Sequence, residues 1–339
     1  VSGFTPYLAS AVSGAPLSGD EMRGAMTAIL AGEASDIEIA GFLTALRARG
    51  ETVEEIASAA LAMRDHALAV EAPDDAIDTC GTGGDGAGTY NISTASALIV
   101  AGCGAPVAKH GNRSASSLSG SSDVLSALGV KLDTPPALIS RSIREANVGF
   151  MFAALHHKAA GHAAAARKAL GVRTLFNVLG PLSNPAGAKR QLMGVFSRDL
   201  LRPIAEVMPR LGVETAWVVH GSDGLDEITT TGPTYAAALE RGAVREFEIT
   251  PEEAGLPRAS LKDLKGGDPA ANAEALRRLL AGEKGPYRDI AVLNAAAALV
   301  IAGKARDLAA GARAAEQAID AGAARAALEK LIEISNSAP

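Results

Sequence analysis

A change of hydrophobic period near residue 70 constrains this chain more than any other feature. Before it, apolar residues recur at helical spacing, with Met22, Met26 and Ile29 on one segment and Ile39, Phe42, Leu43 and Leu46 on the next. Two helix starts are marked by capping boxes, Ser35-x-x-Glu38 and Thr52-x-x-Glu55, whose hydroxyl and carboxylate each satisfy an open amide of the first turn. The stretch 70–75, with Glu71, Pro73, Asp74 and Asp75, interrupts the pattern. Beyond it, short apolar runs at 77–80, 105–108, 149–152, 192–196 and 216–219 alternate with helical stretches, which predicts a mostly parallel sheet. Two extended runs within 234–249 flank Arg241-Gly242 and predict one antiparallel hairpin. Ala-rich helices from about 290 to 334 read as cover for the sheet. The expected fold is α/β: a small N-terminal all-helical domain over 1–70, a hinge at 71–75, and a large domain over 76–339 with a mostly parallel sheet flanked by helices.

Composition narrows the function classes. Apolar residues at 48% and charged ones at 21% exclude a disordered chain, and aromatics at 4% favour close-packed helices over an aromatic-rich sandwich. A net charge of −6 does not suit a surface that coats nucleic acid, so an anionic ligand must be held by a local site. Two cysteines, Cys80 and Cys103, cannot build a disulfide framework or a four-thiolate zinc site, and a reducing cytoplasm is the expected setting. No basic segment followed by an apolar run opens the sequence, and no apolar stretch approaches eighteen residues, so neither secretion nor membrane spanning is expected.

Three motifs carry chemistry. Gly81-Thr82-Gly83-Gly84-Asp85-Gly86 follows a predicted strand, and its missing side chains let backbone amides approach a phosphate. It matches GxGxxG, but a dinucleotide fingerprint opens straight into a helix and needs an acid at the end of the next strand. Here the polar run Thr89-Tyr90-Asn91-Ile92-Ser93-Thr94 comes before the helix, and the next strand ends in Lys109. Alone, the loop reads as a phosphate cradle or as a tight structural turn.

The second motif, Lys109-His110-Gly111-Asn112-Arg113-Ser114-Ala115-Ser116-Ser117, leads through Ser121 towards a helix near Ser122. Cations, hydroxyls and helix-terminal amides there suit a phosphate or pyrophosphate, although a polar surface loop with a serine cap fits the same residues. The third is the adjacent pair Asp226-Glu227 after the strand at 216–219. An isolated acidic pair is a solvated loop, whereas beside a pyrophosphate it becomes a magnesium site. His156-His157 has zinc-ligand residue types but no third partner close in sequence.

The order and spacing of these motifs resemble the anthranilate phosphoribosyltransferase family over nearly the whole chain. Its signature loop is matched by residues 81–85, its Asn-Ile-Ser-Thr by 91–94, its Lys-His-Gly-Asn-Arg-Ser run by 109–114 and its metal-binding acids by Asp226 and Glu227. The stretch Gly171-Val172-Arg173-Thr174 through Asn177, Gly180-Pro181-Leu182 and Asn184-Pro185 is similar as well. The resemblance implies transfer of phosphoribosyl from phosphoribosyl pyrophosphate to the amino group of anthranilate, a step of L-tryptophan biosynthesis, with Mg²⁺. It implies a phosphoribosyl pyrophosphate site of Gly81, Gly84, Asp85, Thr89, Asn91, Ile92, Ser93, Thr94, Lys109, His110, Gly111, Asn112, Arg113, Ser114, Ala115, Ser116, Ser117 and Ser121. Ser93, Asp226 and Glu227 would hold the metal, Gly81, Asn112 and Arg167 would meet anthranilate, and Lys109 would act electrostatically with no residue serving as acid or base. It further implies a homodimer through a helical domain that helices around 165–185 complete.

This chain has Lys158 and Ala160 where the family commonly carries Pro and Met, which puts acceptor specificity in question. A pyrimidine nucleoside phosphorylase is the nearest rival, but its glycine loop lacks the acid found here at Asp85 and it has no Lys-His-Gly-Asn-Arg run. A non-catalytic ribonucleotide-binding relative would have no need of Lys109, Arg167, Asp226 and Glu227 together.

Overall fold

The computed structural model describes residues 3–113 and 118–338. Helices α1 (Thr5–Val12), α2 (Gly19–Leu30), α3 (Asp36–Arg49) and α4 (Val53–Asp65) form an N-terminal helical domain. Both expected capping boxes are present, and a third, between Ser18 and Glu21, is legible in the same Ser-x-x-Glu pattern.

The α/β domain follows with β1 (Ile77–Asp78), α5 (Ile92–Gly102), β2 (Val107–Gly111), α6 (Ser121–Leu128), α7 (Pro136–Ala146) and β3 (Val148–Phe152). The chain then returns to the helical domain through α8 (Ala153–His156), a 3-10 segment (Lys158–Ala163), α9 (Ala164–Leu170) and α10 (Phe176–Leu182). There α9 packs on α3 and α10 on α4. It resumes with β4 (Arg190–Gly194), α11 (Leu201–Val207), β5 (Thr215–Gly221), β6 (Thr234–Glu240) and β7 (Ala243–Ile249). Helices α12 (Pro269–Leu280), α13 (Pro286–Ile301), α14 (Leu308–Asp320) and α15 (Ala323–Ser335) close the fold.

The sheet runs in the order β3-β2-β1-β4-β5-β6-β7, parallel from β3 to β5 and antiparallel over β6 and β7. Arg241 and Gly242, at φ 51° and 77°, make the tight hairpin turn whose twist matches that of its strands. Alternate residues serve two cores. Leu192, Trp217 and Val219 join α5 and the C-terminal helices, while Met193, Ala216 and Val218 join α11 and the N-terminal helical core. Among the described residues no helix is long and apolar enough to cross a membrane.

Two expected boundaries move. Strand β2 continues past Lys109 to Gly111, which pairs with Phe152, so His110 and Gly111 also lie within a buried strand and not in the loop after it. Helix α5 begins at Ile92, so Ile92, Ser93 and Thr94 form its first turn instead of a run preceding it. In both places polar side chains face a site, and hydrophobic period therefore gave no sign of the element carrying them.

The chain passes from β1 outward to β2 and β3, then crosses back to β4 on the other side of β1. This reversal opens a crevice beyond the carboxyl ends of β1 and β4, where open parallel sheets place their ligands.

Candidate active site

A cleft of about 320 Å³ occupies that crevice, with the glycine loop, the start of α5, the end of β2, the start of α6, the Asp226-Glu227 turn and α9–α10 around it. The glycine loop is tied down at several points. The Thr82 amide donates to the Gly194 carbonyl at 2.9 Å, and the Gly83 amide to Asp226 Oδ2 at 2.6 Å. Arg173, stacked on Phe196 at 4.2 Å, donates to the Gly84 carbonyl. Gly83 and Gly84 adopt φ of 65° and 78°, where a side chain would strain the backbone.

Beneath the loop, Lys109 is buried, with Nζ 3.3 Å from both Ser93 Oγ and Thr79 Oγ1. Its counter-charge is Asp78, a fully buried carboxylate at the end of β1 that accepts from the amides of Cys80 and His110 and from Asn184 Nδ2 at 2.6 Å. Burial raises Asp78 to about 6, against the opposing pull of Lys109 and these hydrogen bonds. Asp78 was not among the residues singled out from the sequence; an acid closing an apolar strand was the available signal.

Asp226 and Glu227 reach the cleft floor from the turn after β5, and the Ser93 amide donates to Glu227 Oε1 at 3.2 Å. Burial, and next the charge of Asp85, pushes Asp226 up to about 7. Burial and Asp226 hold Glu227 well above the usual carboxylate range. Burial and mutual repulsion both favour a cation between such acids, and their oxygens suit a hard divalent ion. Among the described residues no three His, Cys, Asp or Glu side chains converge to hold a metal alone. The remaining oxygens would have to come from a ligand and water, as is usual for Mg²⁺.

On the helical side, Arg167 lies over the Phe176 ring at 4.9 Å, and its guanidinium has no ion-pair partner among the described residues. Burial lowers its pKa, so this is a partly desolvated cation facing the cleft. The His110 ring is kept neutral by burial and by the nearby His157, which it meets edge-on at 5.1 Å, and its Nδ1 is 3.0 Å from the Gly180 carbonyl. His156 Nδ1 meets the Leu68 carbonyl at 2.6 Å. Lys158 is exposed and does not line the cleft.

The cleft thus brings together Gly81, Gly84, Asp85, Thr89, Asn91, Ile92, Ser93, Thr94, Lys109, His110, Gly111, Asn112, Arg113, Ser121, Arg167, Asp226 and Glu227. Ser114, Ala115, Ser116 and Ser117 lie outside the described residues. Phe176, Asn177, Gly180 and Pro181 also line it, which gives a position to the 171–185 stretch that the motifs alone left without a role.

Residues 5–67 match the glycosyl transferase family, helical bundle domain, and residues 73–325 match the glycosyl transferase family, a/b domain. The chain is 62% identical over 327 residues to an anthranilate phosphoribosyltransferase of Rhodospirillum rubrum, covering 96% of this chain and 94% of that one. It superimposes with a TM-score of 0.93 on the anthranilate phosphoribosyltransferase of Thermus thermophilus, at 44% identity and with 98% and 99% of the two chains covered. The enzyme from Saccharomyces cerevisiae in complex with PRPP and Mg gives a TM-score of 0.91 at 28% identity, covering 99% and 98%.

Proposed function

The chain belongs to the anthranilate phosphoribosyltransferase family, and from that premise we propose that it transfers the 5-phosphoribosyl group of phosphoribosyl pyrophosphate to the amino nitrogen of anthranilate. The products are N-(5-phosphoribosyl)anthranilate and pyrophosphate, in a step of L-tryptophan biosynthesis. One observation carries the reading: a single cleft holds a glycine loop, a buried lysine, an acid pair and an arginine with no ion-pair partner among the described residues.

In this reading the glycine loop and the first turn of α5, with residues 109–117 and Ser121, bind phosphoribosyl pyrophosphate. Asp226, Glu227 and Ser93 hold Mg²⁺, which when bound helps neutralise the pyrophosphate that departs. Lys109 adds fixed positive charge from the cleft wall, already oriented before the ribose bond breaks. Arg167 forks the anthranilate carboxylate, with Asn112 and Gly81 beside it, which sets the amino nitrogen towards the ribose. An aromatic amine is unprotonated at neutral pH, so no side chain need act as general base. Arg167, which has no ion-pair partner among the described residues, favours a carboxylate acceptor over the nucleobase of a phosphorylase.

The helical unit of 1–70, completed by α9 and α10, would close on the remainder of residues 76–339 about the stretch 71–75 and exclude water from the activated ribose. Exposed Val12 and Ile37 on that unit offer apolar surface for a homodimer, and two unpaired cysteines suit the cytoplasm. The test is to follow loss of anthranilate fluorescence with phosphoribosyl pyrophosphate and Mg²⁺. A decline that a chelator abolishes, with pyrophosphate released, is expected; persistence of anthranilate overturns the reading.

A further inference from the structure

Helix α13 is lined with Ile290, Leu293, Ala295, Ala296 and Ala297, all buried, yet it carries a fully buried asparagine, Asn294, in their midst. An amide in such a place is costly unless every polar atom is paired. Its Oδ1 accepts from the Ile228 amide at 2.9 Å, while Nδ2 donates to the Ile228 carbonyl at 2.8 Å and to the Ile290 carbonyl one helical turn back at 2.9 Å. Asn294 therefore grips both backbone groups of the residue that follows Glu227. Just beyond, the Thr229 amide donates to Thr234 Oγ1 at 2.9 Å, and the hydroxyls of Thr229 and Thr231 each donate to Asp223 at 2.7 Å.

We infer that Asn294 is a positioning residue for the cation site: by clasping Ile228 it holds Asp226 and Glu227 where both carboxylates can share one divalent ion. The inference rests on the proposed metal role of those two acids. Leucine at 294 would keep the branching at Cγ and suit the apolar surroundings, so the asparagine is explained by the backbone groups it holds. Two carboxylates can chelate one ion only while their separation is fixed, and a slack turn forfeits that arrangement even when the fold survives.

The test measures Mn²⁺ binding at equilibrium by electron paramagnetic resonance, with phosphoribosyl pyrophosphate present and no acceptor, so that nothing turns over. Asn294→Ala and the similarly branched Asn294→Leu are compared with Leu331→Ala, a buried α15 substitution that does not line the cleft, and with the double variant Asp226→Asn/Glu227→Gln. Expected are loss of the Mn²⁺ site in the double variant, at least about a fivefold weaker affinity in either Asn294 variant, and wild-type affinity in Leu331→Ala despite a lower melting temperature. Wild-type affinity in a folded Asn294 variant, or equal weakening in Leu331→Ala, overturns the clasp while leaving the acids' role intact. Mn²⁺ binding that survives in the double variant overturns the metal assignment, and the clasp's role with it.

Discussion

Gly194, the last residue of β4, lies directly against the backbone of Asp226: a Cβ built on Gly194 would stand 1.5 Å from the Asp226 carbonyl oxygen and 2.3 Å from its carbonyl carbon. In the glycine loop after β1, a Cβ on Gly81 would come within 2.9 Å of Asp226 Oδ2 and 3.0 Å of the Gly194 carbonyl. The acid-bearing turn thus rests on the end of β4, at a point where only a hydrogen atom fits, and against the glycine loop that follows β1.

Gly194→Ala should lift that turn out of place. A displacement near 1 Å costs on the order of 100-fold in rate, and the overpacking about 1–3 kcal/mol of stability. Steady-state rates and a thermal melt check both, and an unchanged rate would show that the height of the turn is immaterial.

Replacing Asp226 with Asn and Glu227 with Gln together should cut turnover on the order of 1000-fold. Stability should hold or rise, because two carboxylates that burial already pushes upward become neutral amides. Retained turnover in a folded variant would sink the metal assignment.

Arg167→Ala should raise the KM for anthranilate about 10- to 100-fold, as the loss of about 1.5–3 kcal/mol of charge-assisted hydrogen bonding implies. The KM for phosphoribosyl pyrophosphate should stay near its wild-type value. Arg167→Lys should rescue little, because an ammonium lacks the planar fork and stacks poorly on Phe176. Equal changes in both KM values would place Arg167 outside the acceptor site.

Asp78 gives a pH signature. Its folded pKa of about 6 stands above the ordinary 3.8, so between those values the unfolded chain releases its proton first and stability falls as pH rises. The total is roughly 3 kcal/mol, from about two pKa units at about 1.4 kcal/mol each. Asp78→Asn cannot titrate, and its new amide would face Asn184 Nδ2, donor against donor. Chemical denaturation from pH 4 to 7 should therefore show the stability difference, wild type minus variant, declining with pH. A difference that grows with pH would mean that Lys109 outweighs burial at this position.

The sequence by itself determined the classes of element and the chemistry of the loops. Ser35-Glu38 and Thr52-Glu55 speak for their own helix starts because capping is satisfied within one turn. Likewise the glycines at 81–86 declare a backbone that must pass close to something, and Arg241-Gly242 declares a hairpin. What only the tertiary structure decided is which of these loops meet. Ser93 and Glu227, 134 residues apart, share a hydrogen bond because the strand order reverses between β1 and β4. Arg167, in sequence one arginine of an Ala-rich helix, becomes a partly desolvated cation because the chain after β3 returns to the N-terminal helices and faces the sheet's open end. The roles of Asp78, Gly194 and Asn294 depend likewise on groups far away in the chain, and pairings made across a fold leave no local period in the sequence.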